Sequence, residues 1–186
     1  MKRILVTGAT TGMGRSAAKY YYEKDWSVVC CGRSKEKGES LVAECEAAKS
    51  NGTIYFTACD VSKKEDMERL HDFVMDKMGG VDTILNNAGT RNCALVHDVS
   101  EEEWDYMMAV DVKSIYWTSK FFVPYMIQNG GGSIINLASI SGLLADWLTP
   151  LYCAAKGAVV NLTRAMALDY AKYKIKPRKG DVFMTR

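Results

Sequence analysis

The sequence predicts an α/β fold, a doubly wound parallel sheet with helices on both faces. Three observations carry that prediction. Short runs that are apolar throughout alternate with longer amphipathic stretches. Strands buried on both faces read this way, because helices cover both sides of a parallel sheet. A glycine-rich segment, Gly8-Ala9-Thr10-Thr11-Gly12-Met13-Gly14, follows the first apolar run and opens a helix-like stretch. Finally, 186 residues with 48% hydrophobic and 25% charged side chains make one globular unit, so residues 1–186 are read as a single domain.

Residues 3–7 (RILVT) form the first strand run, and residues 13–24 read as a helix closed by Asp25-Trp26. Residues 27–31 (SVVCC) are the second strand; the Glu-, Lys- and Ala-rich residues 35–50 are a helix ended by Asn51-Gly52. Residues 53–57 are the third strand. Ser62 is placed to cap a helix running to residue 78, where Gly79-Gly80 stop it. Residues 81–86 are the fourth strand. Ser100 followed by Glu101, Glu102 and Glu103 is a capping-box start for one or two helices reaching residue 129. Residues 133–138 are the fifth strand and residues 151–173 a long helix. Pro177 and four basic residues make 174–180 a poor central strand, so residues 172–186 read as a basic, irregular tail.

That tail carries six basic residues against Asp181, leaving 18 basic and 21 acidic residues over residues 1–171. A mildly acidic body without a groove-reading motif predicts no nucleic-acid partner. No apolar run approaches the roughly 18 residues of a membrane helix, and the N-terminus lacks a signal peptide's apolar core. Six cysteines without CxxC spacing, beside two histidines, predict neither a metal site nor a disulfide framework, and a cytoplasmic setting.

Open parallel sheets bind ligands beyond the carboxyl ends of their strands. The glycines after the first strand permit a tight turn, and they let backbone N–H groups meet a pyrophosphate at a helix N-terminus. After the second strand, Gly32 stands where an NAD-type acid would hold the ribose hydroxyls, and Arg33 follows. A guanidinium there suits the 2′-phosphate of NADP; the other reading is a surface arginine. Asp60, after the third strand, suits an adenine amino group or simply a turn. Asn86-Asn87-Ala88-Gly89 follows the fourth strand, a ligand approach or an ordinary turn. Ser139 follows the fifth strand, and Tyr152 and Lys156, four apart, share one helix face. An ammonium beside a phenol favours the phenolate, so such a tyrosine can exchange a proton with a developing alkoxide. A snorkelling surface pair is the plain alternative.

Together these pieces resemble the short-chain dehydrogenase/reductase family in its common short form, over residues 3 to about 173. The motifs are TGATTGMG (7–14), CDV (59–61), NNAG (86–89), NLAS (136–139) and YCAAK (152–156), in family order. Ser139 and Tyr152 stand thirteen positions apart, as the family pattern requires. The Gly-x3-Gly-x-Gly spacing is unlike the nucleotide-sugar epimerases, and Tyr-x3-Lys is unlike the enoyl reductases. The resemblance implies a Rossmann-like fold and hydride transfer between NADP(H), favoured over NAD(H), and a ketone or secondary alcohol. It implies Tyr152 as acid/base, Lys156 on the nicotinamide ribose, Ser139 on the carbonyl and Asp111 in the fourth catalytic position. It implies Gly8, Thr10, Thr11, Gly12, Met13 and Gly14 around the pyrophosphate, Arg33 on the 2′-phosphate, Asp60 and Val61 at the adenine, and Asn87, Ala88 and Gly89 at the adjacent ribose. A homodimer or homotetramer, paired through residues 103–129 and 151–173, follows from the same resemblance.

The chain also departs from the family. Asp111 stands where an Asn is usual, which predicts a weakened or re-poised proton relay. Family members usually continue through a sixth strand, a substrate lid and a last strand. The expectation here is a fold lacking the usual last strand and substrate lid, with residues 181–186 resembling the start of the segment that contacts the carboxamide. A catalytically impaired NADP-binding protein and a non-catalytic assembly subunit therefore stand as alternatives. Oxoacyl thioesters, steroids and sugars or polyols all fit as substrates.

Overall fold

A computed structural model describes residues 1–180 of the chain. Six parallel strands lie in the order β3-β2-β1-β4-β5-β6. They are β1 (Arg3–Val6), β2 (Ser27–Gly32), β3 (Thr53–Ala58), β4 (Thr83–Asn86), β5 (Gly132–Leu137) and β6 (Ile175–Gly180). Between them run α1 (Gly12–Glu23), α2 (Lys35–Ala47), α3 (Lys64–Met78), α4 (Glu101–Met108), α5 (Ser114–Gln128) and α6 (Pro150–Tyr170). A single π-helical turn, Ala109–Lys113, joins α4 to α5.

Successive residues of the inner strands face opposite layers, as the pleat requires. Ile4, Val6, Val28 and Cys30 pack with Ala18, Tyr22, Leu41 and Cys45 of α1 and α2. Leu5, Val29 and Cys31 belong to the larger core, with residues of α3, α5 and α6. Every β1 and β2 position but Arg3 is buried, the origin of the continuous apolar runs. Of the aromatic and aliphatic residues on the long helices, Trp117, Phe122 and Val160 are core, whereas Tyr116 and Leu168 are exposed.

The expected irregular tail is corrected over residues 175–180. β6 pairs with β5 along its length, from Gly132↔Ile175 to Leu137↔Gly180. The reason is the strand period: Ile175 and Pro177 are buried while Lys176 and Arg178 are exposed. Pro177 sits in the outermost described strand, where a missing N–H faces no ladder on the open side. The edge of β5 is thus covered. Ser62 does not cap α3; its hydroxyl donates to Asp60 Oδ1 at 2.7 Å, and Lys63 takes the cap position without a side-chain bond. The reading of residues 181–186 lies outside the described residues.

The sheet order reverses direction between β1 and β4, which opens a crevice at their carboxyl ends. A buried amide chain lies under it. Thr118 Oγ1 donates to Asn86 Oδ1, Asn86 Nδ2 to Asn136 Oδ1, and Asn136 Nδ2 to Thr163 Oγ1, at 2.8–2.9 Å. It ties α5, β4, β5 and α6 into one register.

Candidate active site

The β1–α1 turn is shaped for close approach. Gly8 has φ +66°, and a Cβ there would stand 2.8 Å from Ala88 Cα. The turn is laced to the loop after β4: Thr7 Oγ1 accepts from the N–H groups of Asn87 and Ala88, both at 3.1 Å. Asn87 Nδ2 donates in return to the carbonyls of Thr7 and Gly8. Asn87 thus holds the glycine turn through its amide N–H, a role not visible in the motif.

α1 begins without a capping side chain. Thr11 occupies the cap with no side-chain bond, whereas Ser34 caps α2 and a reciprocal Ser100–Glu103 box caps α4. Gly12, at φ +56°, faces open space, and Gly14 is buried in the first turn. First-turn N–H groups without a cap favour an anion.

Two adjoining cavities, of about 320 and 350 Å³, share Met13, Asn87, Gly89 and Thr90, so they form one groove. The first gathers Gly8, Thr10, Thr11, Arg33, Asp60, Val61 and Ala88. The second gathers Asp111, Ser139, Tyr152 and Lys156. Most of the expected residues are thus divided between the two ends of one groove; Gly12 and Gly14 line neither cavity, Gly14 packing instead against Gly8 and the Asn87 amide.

At the first end, Arg33 Nη1 donates to the Tyr106 hydroxyl at 2.6 Å. Tyr106 comes from α4 and was not singled out in the sequence; the partners are 73 positions apart, so no local pattern announces them. Asp60 Oδ1 is held by the Ser62 N–H and hydroxyl.

At the second end, Lys156 is 4% exposed and Asp111 2%, a charged pair sealed in the protein. Lys156 Nζ stands 3.0 Å from Asp111 Oδ2 and donates to the Leu137 carbonyl at 3.0 Å. Asp111 Oδ1 accepts from the Thr90 N–H at 2.8 Å, while Oδ2 finds no aligned hydrogen-bond donor. The contact with Lys156 is thus an ion pair by distance. Burial pushes the Asp111 carboxyl above the ordinary carboxylate range; the Lys156 charge and the Thr90 N–H pull the other way. Gly89 leaves room for the pair, since a Cβ there would lie 3.1 Å from Asp111 Oδ2. Lys156 Nζ lies 5.5 Å from the Tyr152 ring centroid. Arg91, unanticipated, approaches the same ring at 5.8 Å and pairs with Asp146 at 3.2 Å. Ser139 Oγ accepts from the Ser141 N–H at 3.1 Å, which fixes the turn after β5.

The family model for short chain dehydrogenases matches residues 2–177. Meso-2,3-butanediol dehydrogenase of Serratia marcescens is 39% identical over 169 residues, 91% of this chain and 65% of that protein. A 3beta-hydroxysteroid dehydrogenase of Mediterraneibacter gnavus is 35% identical over 171 residues, 91% of this chain and 61% of that one. The chain thus spans under two thirds of the length of either relative. L-sorbose reductase of Gluconobacter frateurii, solved with NADPH and L-sorbose, superposes with a TM-score of 0.92. That match covers 96% of this chain and 67% of the other at 24% identity, a likeness of fold. No helix among the described residues is long and apolar enough to cross a membrane.

Proposed function

Because this chain belongs to the short-chain dehydrogenase family of oxidoreductases, we propose that it interconverts a ketone and a secondary alcohol with NADP(H), using Tyr152 as the acid/base. The observation that carries the reading is the convergence of Ser139, Tyr152, Lys156 and Asp111 on one cavity, continuous with a second lined by the β1–α1 turn, Arg33 and Asp60.

The groove fits the cofactor in its own terms. The uncapped start of α1 and the open face of Gly12 suit a pyrophosphate. Gly32 puts no carboxylate at the end of β2, and Arg33 beside it offers a guanidinium that suits a 2′-phosphate. Asp60 and Val61 would border the adenine, and Ala88 and Gly89 the adjacent ribose. A bound nicotinamide supplies or accepts the hydride.

The chain's side chains do the rest. Tyr152 gives its hydroxyl proton to the carbonyl oxygen in reduction and takes it back in oxidation. Ser139 donates to that same oxygen and orients it. Lys156, anchored to the Leu137 carbonyl, holds a positive charge beside the Tyr152 ring and would hold the nicotinamide ribose. Butanediol and hydroxysteroid chemistry among the relatives supports a secondary alcohol as the reacting group. Exposed Tyr116 and Leu168 suit a homo-oligomer paired through α4–α5 and α6. Six free cysteines suit a reducing cytoplasm. The second reading, a chain that binds NADPH without turning it over, is favoured by the carboxylate at Asp111 alone.

Tyr152→Phe tests the assignment. It keeps the ring and removes the transferable proton, so turnover falls by about 10²–10⁴ while NADPH affinity is retained. Retained turnover would refute Tyr152 as the acid/base. An inactive unmutated chain that still binds NADPH would favour the second reading.

A further inference from the structure

We propose that Asp111 acts as a charge-setting positioning residue, neutralising Lys156 so that the Tyr152 phenol keeps its proton to higher pH than an uncompensated lysine would allow. The inference rests on the proposed role of Tyr152 and names the group that sets its working range.

The geometry leads there directly. Lys156 has two oxygens within 3.0 Å, the Leu137 carbonyl and Asp111 Oδ2. Only the second carries charge. Both partners are almost fully buried in the wall of the groove, so the pair is weakly screened and each charge is felt by its neighbours. The Tyr152 ring centroid is 5.5 Å from the same ammonium. Seen from Tyr152, the ion pair is close to a dipole rather than a lone cation. A lone cation would favour the phenolate strongly; a dipole does so less.

The surroundings leave Asp111 as the group that sets this balance. From α6 it faces Lys156, which in turn lies over the Tyr152 ring. Arg91, from the loop after β4, also nears the Tyr152 ring, but its charge is matched by Asp146. α4 contributes Met107, which packs with Val112, and α5 contributes buried Ile115; neither is charged. Lys113, on the π turn itself, lies over the Trp117 ring. Thr90 and the end of β5 offer an N–H and a carbonyl, which do not titrate.

The π turn places the carboxylate. Its extra residue brings Asp111 inward at 2% exposure between Val110 and Val112. Gly89 keeps a Cβ away from Oδ2, so this buried oxygen stays beside the lysine.

The consequence is a pH assignment. Reduction needs a protonated Tyr152 and oxidation an ionised one. With Asp111 charged, reduction persists to higher pH and oxidation begins at higher pH. The equilibrium of the reaction is untouched; what moves is the pH window of each direction.

Asp111→Asn is the test, since it keeps shape and removes the charge. The probe is the tyrosinate absorbance of the chain without cofactor, titrated with pH and corrected by the same titration on Tyr152→Phe. In Asp111→Asn the Tyr152 step moves to lower pH by about one unit. The alkaline limb of reduction, read with NADPH and a ketone, moves with it. Identical titrations in the two proteins would overturn the proposal. Should the variant not fold, the unmutated chain answers alone. A carbon-13 resonance of the Tyr152 ring, assigned by its loss in Tyr152→Phe, shows a second, acid step at the pH where Asp111 takes up its proton. Absence of that step would equally overturn it. Both spectroscopic readouts stand without turnover, so failure of the oxidoreductase reading and failure of this one are told apart.

Discussion

At the scale of single residues, two carboxylates, Asp82 half-exposed and Asp111 buried, respond oppositely to acid. Burial pushes the Asp82 carboxyl up, but the hydrogen bonds and charge of Arg3 outweigh it and leave it below the ordinary range. Arg3 clasps it through its backbone N–H, Nε and Nη2, the last at 2.6 Å. A lowered folded value stabilises above the unfolded carboxylate range and is lost as pH falls through the folded one. Asp111 is raised, so its contribution increases as pH falls. Asp82→Asn should therefore flatten the acid side of the stability curve and cost about 1 kcal/mol at neutral pH, no more because the pair is partly in water. Denaturant midpoints at pH 3, 5 and 7 check it; an unchanged acid limb would contradict the assignment. Much of the candidate site was legible at this scale. Glycine turns, an Asn-Asn-Ala-Gly loop and a Tyr-x3-Lys pair are local patterns. Tyr106 beside Arg33, and Arg91 beside Tyr152, were not legible. Only the folded chain brings together positions 73 and 61 apart.

At the scale of elements, β1 and β2 announced themselves because both faces are buried, and β6 did not. Its alternation is short, and Pro177 and the basic residues hide it: Ile175 and Pro177 face in, Lys176 and Arg178 face out. Ile175 is 2% exposed within the larger core. Ile175→Ala should cost about 2–4 kcal/mol if β6 forms as described. A loss below about 1 kcal/mol would mean that the segment does not pack on β5. The amide chain beneath the crevice was equally hidden, since Asn86 and Asn136 are 50 positions apart. Asn136→Ala leaves Asn86 Nδ2 without its acceptor and removes the N–H that Thr163 Oγ1 accepts, in a dry setting, a loss of about 1–3 kcal/mol. Thermal unfolding of the variant, with Thr163→Val beside it, measures that loss. A neutral Asn136→Ala would show that the register of β4 on β5 rests on backbone pairing alone. Capping was legible at α4, where Ser100 and Glu103 bond reciprocally, and misread at Ser62, which turns back to Asp60 instead.

At the scale of the whole molecule, one sheet order makes one crevice, and one groove runs from Arg33 and Tyr106 to Tyr152 and Lys156. Sequence and fold agree on the crevice because strand ends, not strand interiors, carry its residues. The central claim is that this groove takes a phosphorylated nicotinamide dinucleotide in the orientation that brings its reactive end to Tyr152. Calorimetric titration of the chain with NADPH and with NADH, repeated on Arg33→Ala, tests it most directly. The account predicts that NADPH binds about 10–100-fold more tightly than NADH, as one charge-assisted contact allows. Arg33→Ala should remove most of that preference while leaving NADH nearly unchanged. Equal affinity for the two nucleotides, or a preference that survives Arg33→Ala, would contradict it.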